Sequence, residues 1–204
     1  YKPLLDGNNG ANTGGMGCIS PSPFMNDELK NTVMQKVVQP TIDGLNKLGI
    51  HYYGFMYFGL MVKDNNPKVL EFNCRLGDPE TQCLMMQMES DLVDCLTDAL
   101  KNNKVTINWK KGASMGVVIA SDGYPGRYAI NKQISFGDTK NLKVFHAGTK
   151  STNGVLQTSG GRVFSVNYHG ETLDLCSKYI YKNIEEVQFD GNIYRKDIGK
   201  IYES

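Results

Sequence analysis

The chain has 204 residues, with 22 basic and 21 acidic side chains and a formal net charge of +1. Hydrophobic residues make up 40% and charged residues 21%, which excludes a dominantly disordered chain. The charge balance leaves no basic surplus to hold nucleic acid or an anionic membrane, and no apolar stretch approaches the roughly 20 residues of a membrane-spanning helix.

Residues 1–26 are mostly turn formers: Asp6-Gly7-Asn8-Asn9-Gly10, Asn12-Thr13-Gly14-Gly15-Met16-Gly17, then Pro21 and Pro23. They predict an extended loop region. A helix is predicted next, capped by Asp27, with Val33, Val37, Val38, Ile42, Leu45 and Leu48 on one stripe and Gly49 after its last turn. Pro40 should kink or split it. Residues 52–62 and 68–75 predict an antiparallel hairpin about the turn Asp64-Asn65-Asn66-Pro67. Two helices follow, from about Pro79 and about Ser90. The second carries Leu92, Val93, Leu96 and Leu100 at helical spacing and ends at Asn102-Asn103-Lys104.

Around residues 108–112 the pattern changes. Short strands are predicted at 114–120, 142–145 and 161–166, with one amphipathic helix at 171–186 turning Leu173, Cys176, Ile180 and Ile184 inward. A boundary near Trp109 divides the chain into 1–108 and 109–204. The expected fold class is α+β: a mixed antiparallel sheet with helices, then a small β-rich domain with one helix.

The five cysteines are odd in number and form no C-x-x-C, so most read as small apolar residues in a reducing compartment. The three histidines are far apart in sequence, and no His/Cys zinc site is expected. With no initiator Met and no signal peptide, the chain reads as a piece of a longer cytosolic protein.

The segment Val69-Leu70-Glu71-Phe72-Asn73-Cys74-Arg75 carries the sharpest chemistry. A strand alternates faces, so Leu70, Phe72 and Cys74 point into a core and Glu71, Asn73 and Arg75 point the other way. Glu71 and Asn73 offer two hard oxygen ligands for Mg²⁺, and Arg75 a planar fork for phosphate. The same face also reads as a solvated Glu–Arg pair. Asp78 and Pro79 suit a helix start with Glu80 in its first turn, and equally a contact to a substrate amine or a second Mg²⁺. Asn12 to Gly17 reads as a turn cluster or as an anion cradle of backbone N–H groups. Ser159-Gly160-Gly161-Arg162 and Tyr194-Arg195-Lys196-Asp197 leave the same choice between a structural turn and a phosphate site. Gly112-Ala113-Ser114-Met115-Gly116 matches G-x-S-x-G, but strand residues follow Ser114, so no nucleophile elbow is expected.

Together these blocks resemble the phosphoribosylamine–glycine ligase family of the ATP-grasp superfamily. The resemblance rests on Asn12-Thr13-Gly14-Gly15-Met16-Gly17, Ser20-Pro21, Glu71-Phe72-Asn73-Cys74-Arg75 and Gly77-Asp78-Pro79-Glu80-Thr81-Gln82. It continues through Phe145-His146-Ala147-Gly148-Thr149, Gly160-Gly161-Arg162-Val163 and Ile193-Tyr194-Arg195-Lys196-Asp197-Ile198-Gly199. Departures fall early, at Pro3, Asn8 and Ala11.

The resemblance implies a second half of an ATP-grasp unit in 1–108, the family's C-terminal domain in 109–204, and a further N-terminal part of the same enzyme. It implies ATP-dependent joining of 5-phosphoribosylamine and glycine through glycyl phosphate, in purine biosynthesis. Glu71 and Asn73 fall on the family's Mg²⁺ or Mn²⁺ ligands and Arg75 on its phosphate-site arginine. Asn12, Thr13, Gly14, Gly15, Asp78 and Glu80 would line the glycine and acyl-phosphate region. Gly161, Arg162 and Arg195 would hold the phosphoribosylamine phosphate. The alternatives are another ATP-grasp carboxylate–amine ligase or a non-catalytic module that binds a phosphosugar or a partner. The isolated chain is expected to be inactive.

Overall fold

The computed structural model describes residues 1–101, 103–139 and 141–201. Asn102, expected at the end of a helix, lies outside the described residues. The chain begins with the strands β1 (Pro3–Leu5), β2 (Asn9–Asn12) and β3 (Gly17–Ser20). The helices α1 (Asp27–Val33) and α2 (Gln39–Lys47), the strands β4 (Tyr57–Lys63) and β5 (Asn66–Asn73), and the helices α3 (Glu80–Gln87) and α4 (Leu92–Leu100) follow. Next come β6 (Ala113–Ser121), β7 (Ile134–Phe136), β8 (Lys143–His146), β9 (Thr149–Thr152), β10 (Val155–Thr158) and β11 (Arg162–Gly170). The helix α5 (Leu173–Asn183) and the strands β12 (Val187–Phe189) and β13 (Asn192–Ile193) complete an α+β fold.

Two compact units form, one from residues 1–20, 78–89 and 108 onward, the other from residues 21–77 and 90–107. This division by contacts cuts across the boundary near Trp109, because residues 1–20 and 78–89 pack with the C-terminal strands.

The first unit is built on β6, whose nine residues are all buried. β11 pairs antiparallel along one edge of β6 and is flanked by β8. β3 and β13 share the other edge, at residues 114–117 and 120–121 of β6. The region 1–26 is therefore more ordered than its turn formers predict: β1 and β2 pair, and β3 joins the central sheet. Alternation puts Met115, Val117 and Ile119 in one apolar cluster with Cys176, Ile180 and Ile184. The last three are four residues apart, which places them on one stripe of α5 and its following turn. Thr172 caps that helix by accepting the Leu175 N–H at 3.2 Å. Each large apolar side chain so buried contributes about 1.5–3 kcal/mol. Ser114 lies mid-strand, wholly buried, and its hydroxyl donates to the Cys83 carbonyl at 2.8 Å, so it is a sheet residue tying β6 to α3.

In the second unit Asn26, one residue before the expected cap, accepts the Leu29 N–H at 2.7 Å. α1 and α2 are separated by a π-helical stretch at Met34–Val38, where the Gln39 N–H reaches back to Met34. Pro40 supplies the cause: it has no N–H for the carbonyl four residues back, and its ring crowds the preceding turn. β4 and β5 form the expected hairpin, with Asp64 and Asn65 both in left-handed conformation at its tip. One expectation fails here. Leu70 and Phe72 are 61% and 54% exposed and Cys74 is exposed, so these side chains form no core within the chain, and the β4–β5 register shifts by one residue at Leu70. The sheet has only two strands, and Leu29, Val37, Pro67 and Cys95 are the buried apolar side chains among the unit's described residues. Among the described residues no helix is long and apolar enough to cross a membrane.

Candidate functional site

The residues singled out in the sequence fall into two groups, one in each unit. In the second unit Glu71 and Asn73 lie two apart on β5, opposite Gly59 and Tyr57 of β4. A Cβ at Gly59 would fall 2.8 Å from Glu71 Cγ and 3.4 Å from Oε1, so the glycine leaves room for the carboxylate on this face. Arg75 lies just beyond the end of β5, not within it. Its guanidinium folds back, donating to the Leu76 carbonyl at 2.9 Å and to Asn73 Oδ1 at 3.2 Å. Asn73 Oδ1 keeps a second lone pair for a cation. The described residues contain no cluster of three or more His, Cys, Asp or Glu. What stands here is two hard oxygen groups on one strand, with a guanidinium alongside.

In the first unit the glycine-rich loop is not an open anion cradle. The Thr13 N–H donates to the Lys2 carbonyl at 2.9 Å and the Met16 N–H to the Tyr1 carbonyl at 2.8 Å. The Gly14 N–H donates to the Tyr124 hydroxyl at 3.0 Å, and the Gly15 N–H to Thr13 Oγ1 at 2.9 Å. These N–H groups are spent inside the fold. The glycines serve close approach instead. A Cβ on Gly14 would lie 3.0 Å from Arg162 Cζ, and one on Gly15, where φ is +127°, would lie 2.5 Å from Pro79 Cδ. Asn12 ends the exposed strand β2.

Asp78 does not cap α3. No side chain caps that helix, and Pro79 holds the cap position. The Asp78 carboxylate instead lies 3.2 Å from Arg162 Nη2 and accepts Gln82 Nε2 at 3.4 Å. Arg162 Nη1 donates to the Asp78 carbonyl at 2.8 Å and to the Gly15 carbonyl at 3.4 Å. Glu80 opens α3, where its charge suits the helix dipole. Gly161 is buried against tyrosine: a Cβ there would meet Tyr124 Cδ2 at 2.3 Å and Tyr128 Cε1 at 3.0 Å. The structure thus brings Thr13, Gly14, Gly15, Asp78, Gly161 and Arg162 together in one unit.

Arg195 is the clearest departure. It is 1% exposed. Nε and Nη2 grip Asp197, Nη1 donates to the Pro3 carbonyl at 3.0 Å, and Nη2 also reaches Asn8 Oδ1 at 3.1 Å. Its donors are committed to the protein, so it holds the β1–β2 hairpin rather than a phosphate. Tyr124 is the residue that sequence reasoning missed. The signal was slight: a tyrosine in the turn Asp122-Gly123-Tyr124-Pro125, with no motif around it.

The family model described as "Phosphoribosylglycinamide synthetase, ATP-grasp (A) domain" matches residues 1–81, and the C domain of the same synthetase matches residues 114–201. A phosphoribosylamine–glycine ligase of Clostridium acetobutylicum is 44% identical over 202 residues, covering 98% of this chain and 49% of that protein. The crystal structure of the Thermotoga maritima phosphoribosylamine–glycine ligase superposes with a TM-score of 0.89 at 35% identity, over 97% of this chain and 50% of that one. The biotin carboxylase subunit of pyruvate carboxylase shares the fold, with a TM-score of 0.61 at 14% identity over 88% of this chain and 40% of its own. The chain spans about half the length of the curated relatives it matches. On these matches, the chain belongs to the phosphoribosylglycinamide synthetase family, corresponding to the later part of its ATP-grasp domain and to its C domain.

Proposed function

We propose that the parent protein joins 5-phosphoribosylamine to glycine at the expense of ATP, in the cytosol, as a step of purine biosynthesis. Residues 1–108 would supply the later part of the ATP-grasp domain and 109–204 the C-terminal domain. The observation that carries the reading is Glu71 and Asn73 side by side on β5 with the Arg75 guanidinium bonded to Asn73. Those two oxygens suit a hard divalent cation that takes its other ligands from a triphosphate and water. A bound Mg²⁺ or Mn²⁺ would supply charge neutralisation at the transferring phosphoryl group.

The glycine carboxylate oxygen attacks the γ-phosphorus, the bond to ADP breaks, and glycyl phosphate forms. Arg75 offsets the charge that develops on the phosphoryl oxygens, as a guanidinium fork does well. The amine of phosphoribosylamine then attacks the glycyl carbonyl, loses a proton, and inorganic phosphate leaves. The substrates meet the first unit at the Arg162–Asp78 pair, beside Gly14, Gly15 and Gly161. The half-length coverage of the relatives supports a further part of the same enzyme, which completes the nucleotide cleft.

The test is ADP release by the parent-length protein, requiring both glycine and phosphoribosylamine. Release with another carboxylic acid in place of glycine would move the protein to a different ATP-grasp ligase. No release with any acid would leave only a binding module. The 204-residue chain by itself should release none, because positioning supplies most of phosphoryl-transfer catalysis.

A further inference from the structure

Cys18 of β3 lies opposite Gly116 of β6, and Asn167 of β11 lies opposite the same glycine from the other edge. The three residues make one row across the sheet. Gly116 must be small there, since a Cβ would fall 2.2 Å from Asn167 Oδ1. Cys83 of α3 is set over that gap. Its sulfur is 3.3 Å from the Cys18 carbonyl oxygen and 4.0 Å from Asn167 Oδ1. The Cys83 thiol also hydrogen-bonds with the Cys18 thiol, so two sulfurs far apart in sequence meet beneath α3.

The setting differs from that of a cysteine used only for packing. Cys176 lies against the other face of β6, inside the apolar cluster, and its thiol donates to the Ala113 carbonyl at 3.3 Å. The residues around Cys83 are polar: Ser114, Ser165 and Asn167 are buried, and Asn167 Nδ2 donates to Ser165 Oγ at 2.8 Å. Cys83 is wholly buried and Cys18 half-buried, so a small reagent in water reaches Cys18 first. The bond with Cys18, and then burial, push the Cys83 thiol up, which keeps it protonated until Cys18 has reacted.

The positions along the chain matter as well. The chain leaves the first unit after residue 20 and returns to it at residue 78. Cys18 stands on the outgoing segment and Cys83 on the returning one. A bond between them closes all of 21–77, Glu71 and Asn73 included, into a covalent loop.

We propose that Cys18 and Cys83 form a reversible thiol–disulfide site, oxidised by a peroxide and reduced by a dithiol. The Cys18 sulfur attacks a peroxide oxygen, the O–O bond breaks, and one water leaves with Cys18 as the sulfenic acid. The Cys83 sulfur then attacks the Cys18 sulfur. The S–O bond breaks as the S–S bond forms, and the Cys83 proton leaves with the hydroxide as a second water. Two thiols lose two electrons and one peroxide gains them. A dithiol returns the pair to thiols by exchange and is itself oxidised, as suits a disulfide that forms transiently in a reducing compartment.

The experiment treats the reduced 204-residue chain with hydrogen peroxide, blocks the remaining thiols under denaturing conditions, and maps the peptides by mass without reduction. The chain should lose two of its five thiols, and one linked peptide pair should hold Cys18 and Cys83. Dithiothreitol should restore both thiols. Cutting the oxidised chain within 21–77 should leave the two pieces joined until reductant is added. The oxidised chain should also unfold at higher urea than the reduced one, because the link restricts the unfolded chain. Cys18→Ser should show neither the linked pair nor the shift in urea. Oxidation of Cys18 to the sulfinic acid without a link, a link from either residue to Cys74, or Cys18 and Cys83 remaining as unreacted as Cys176 would overturn the proposal. Should Cys18→Ser fail to fold, the peptide map of the unaltered chain decides by itself.

Discussion

Nε and Nη2 of Arg195 each lie 2.8 Å from a carboxylate oxygen of Asp197, side-on, in the interior of the first unit. The pair does not float in the core. Asp197 Oδ2 also accepts the Gly7 N–H at 2.8 Å, the Lys196 N–H reaches Asp6 Oδ1 at 2.9 Å, and the guanidinium lies 5.2 Å from the Tyr1 ring. Residues 194–197 and the β1–β2 hairpin are thereby tied into one polar lock. The hairpin leads directly into the loop at Gly14 and Gly15.

Removing one member of this lock should therefore show as lost stability rather than lost affinity for an anion. Arg195→Leu leaves Asp197 buried and without its cation, a change that typically costs about 3–5 kcal/mol. Urea unfolding of the chain would measure it. A midpoint within error of the parent chain would mean that the guanidinium is not committed as described.

Glu71 and Arg75 predict the opposite pattern. Both are exposed, and neither supports a core. Glu71→Gln should change stability by less than about 0.5 kcal/mol. In the parent enzyme it should lower turnover about 100-fold or more at limiting Mg²⁺. Arg75→Lys should lose a comparable factor, because an ammonium cannot reproduce the fork that reaches both Leu76 and Asn73. Single-turnover rates within a few-fold of wild type for either variant would remove that residue from the mechanism.

Which features were legible in the sequence follows from how locally each is determined. β6, β11 and α5 were read from apolar alternation and helical spacing, because their burial is decided by residues two to four positions apart. The split at Pro40 follows from one ring and one missing N–H. The pairing of β3 with β6 joins residues about a hundred positions apart, and Gly17-Cys18-Ile19-Ser20 has too little local signal to announce a strand. Glu71 and Asn73 were legible because a strand's period of two puts them on one side whatever lies around them. The roles of Arg195 and Tyr124 were not, since each depends on partners from distant segments. Leu70 and Phe72 were misread for a related reason: alternation shows neither the register shift at Leu70 nor whether anything covers these side chains.

Cys83 and Tyr181 should contribute to the alkaline limb of stability, beside Cys176, whose thiol burial also pushes up. The Cys83 thiol is pushed up from its ordinary value of 9.0 by its hydrogen bond with Cys18 and then by burial. Burial does the same to the Tyr181 hydroxyl, whose ordinary value is 10.0. Both raised groups keep their protons in the folded state at a pH where the unfolded chain releases them. The folded state then binds more protons than the unfolded, so stability falls as pH rises. The contribution is whole below about pH 9 and declines above it, first through Cys83 and then through Tyr181. Each group adds a slope of up to about 1.4 kcal/mol per pH unit. Melting curves from pH 7 to 11 for the chain and for Cys83→Ala would check this. The variant should start lower and fall less steeply, and parallel curves would show that Cys83 does not titrate with unfolding.

The exposed face of β5 sets a sharper contrast with the core of the first unit. Phe72 and Phe164 are the same side chain in antiparallel strands, yet Phe72, in a two-stranded sheet, is 54% exposed and Phe164, in a strand paired on both sides, is 1% exposed. Truncating a buried phenylalanine costs about 3–5 kcal/mol, through lost transfer energy and the cavity left behind. Phe164 also packs edge-on against Phe136 and His146, so its loss should fall in that range. Phe72 has an edge-on contact with Phe58 at 5.4 Å and keeps more than half of its surface in water. Aromatic pairs of this kind contribute about 0.5–1.5 kcal/mol beyond their area burial, so with the ring half covered Phe72→Ala should cost about 1–3 kcal/mol, below the range for Phe164. Urea titrations of the two variants, each followed by circular dichroism, provide the comparison. Equal costs would show that the outer face of β5 is covered in solution, and that the two-stranded sheet is not the unit that folds.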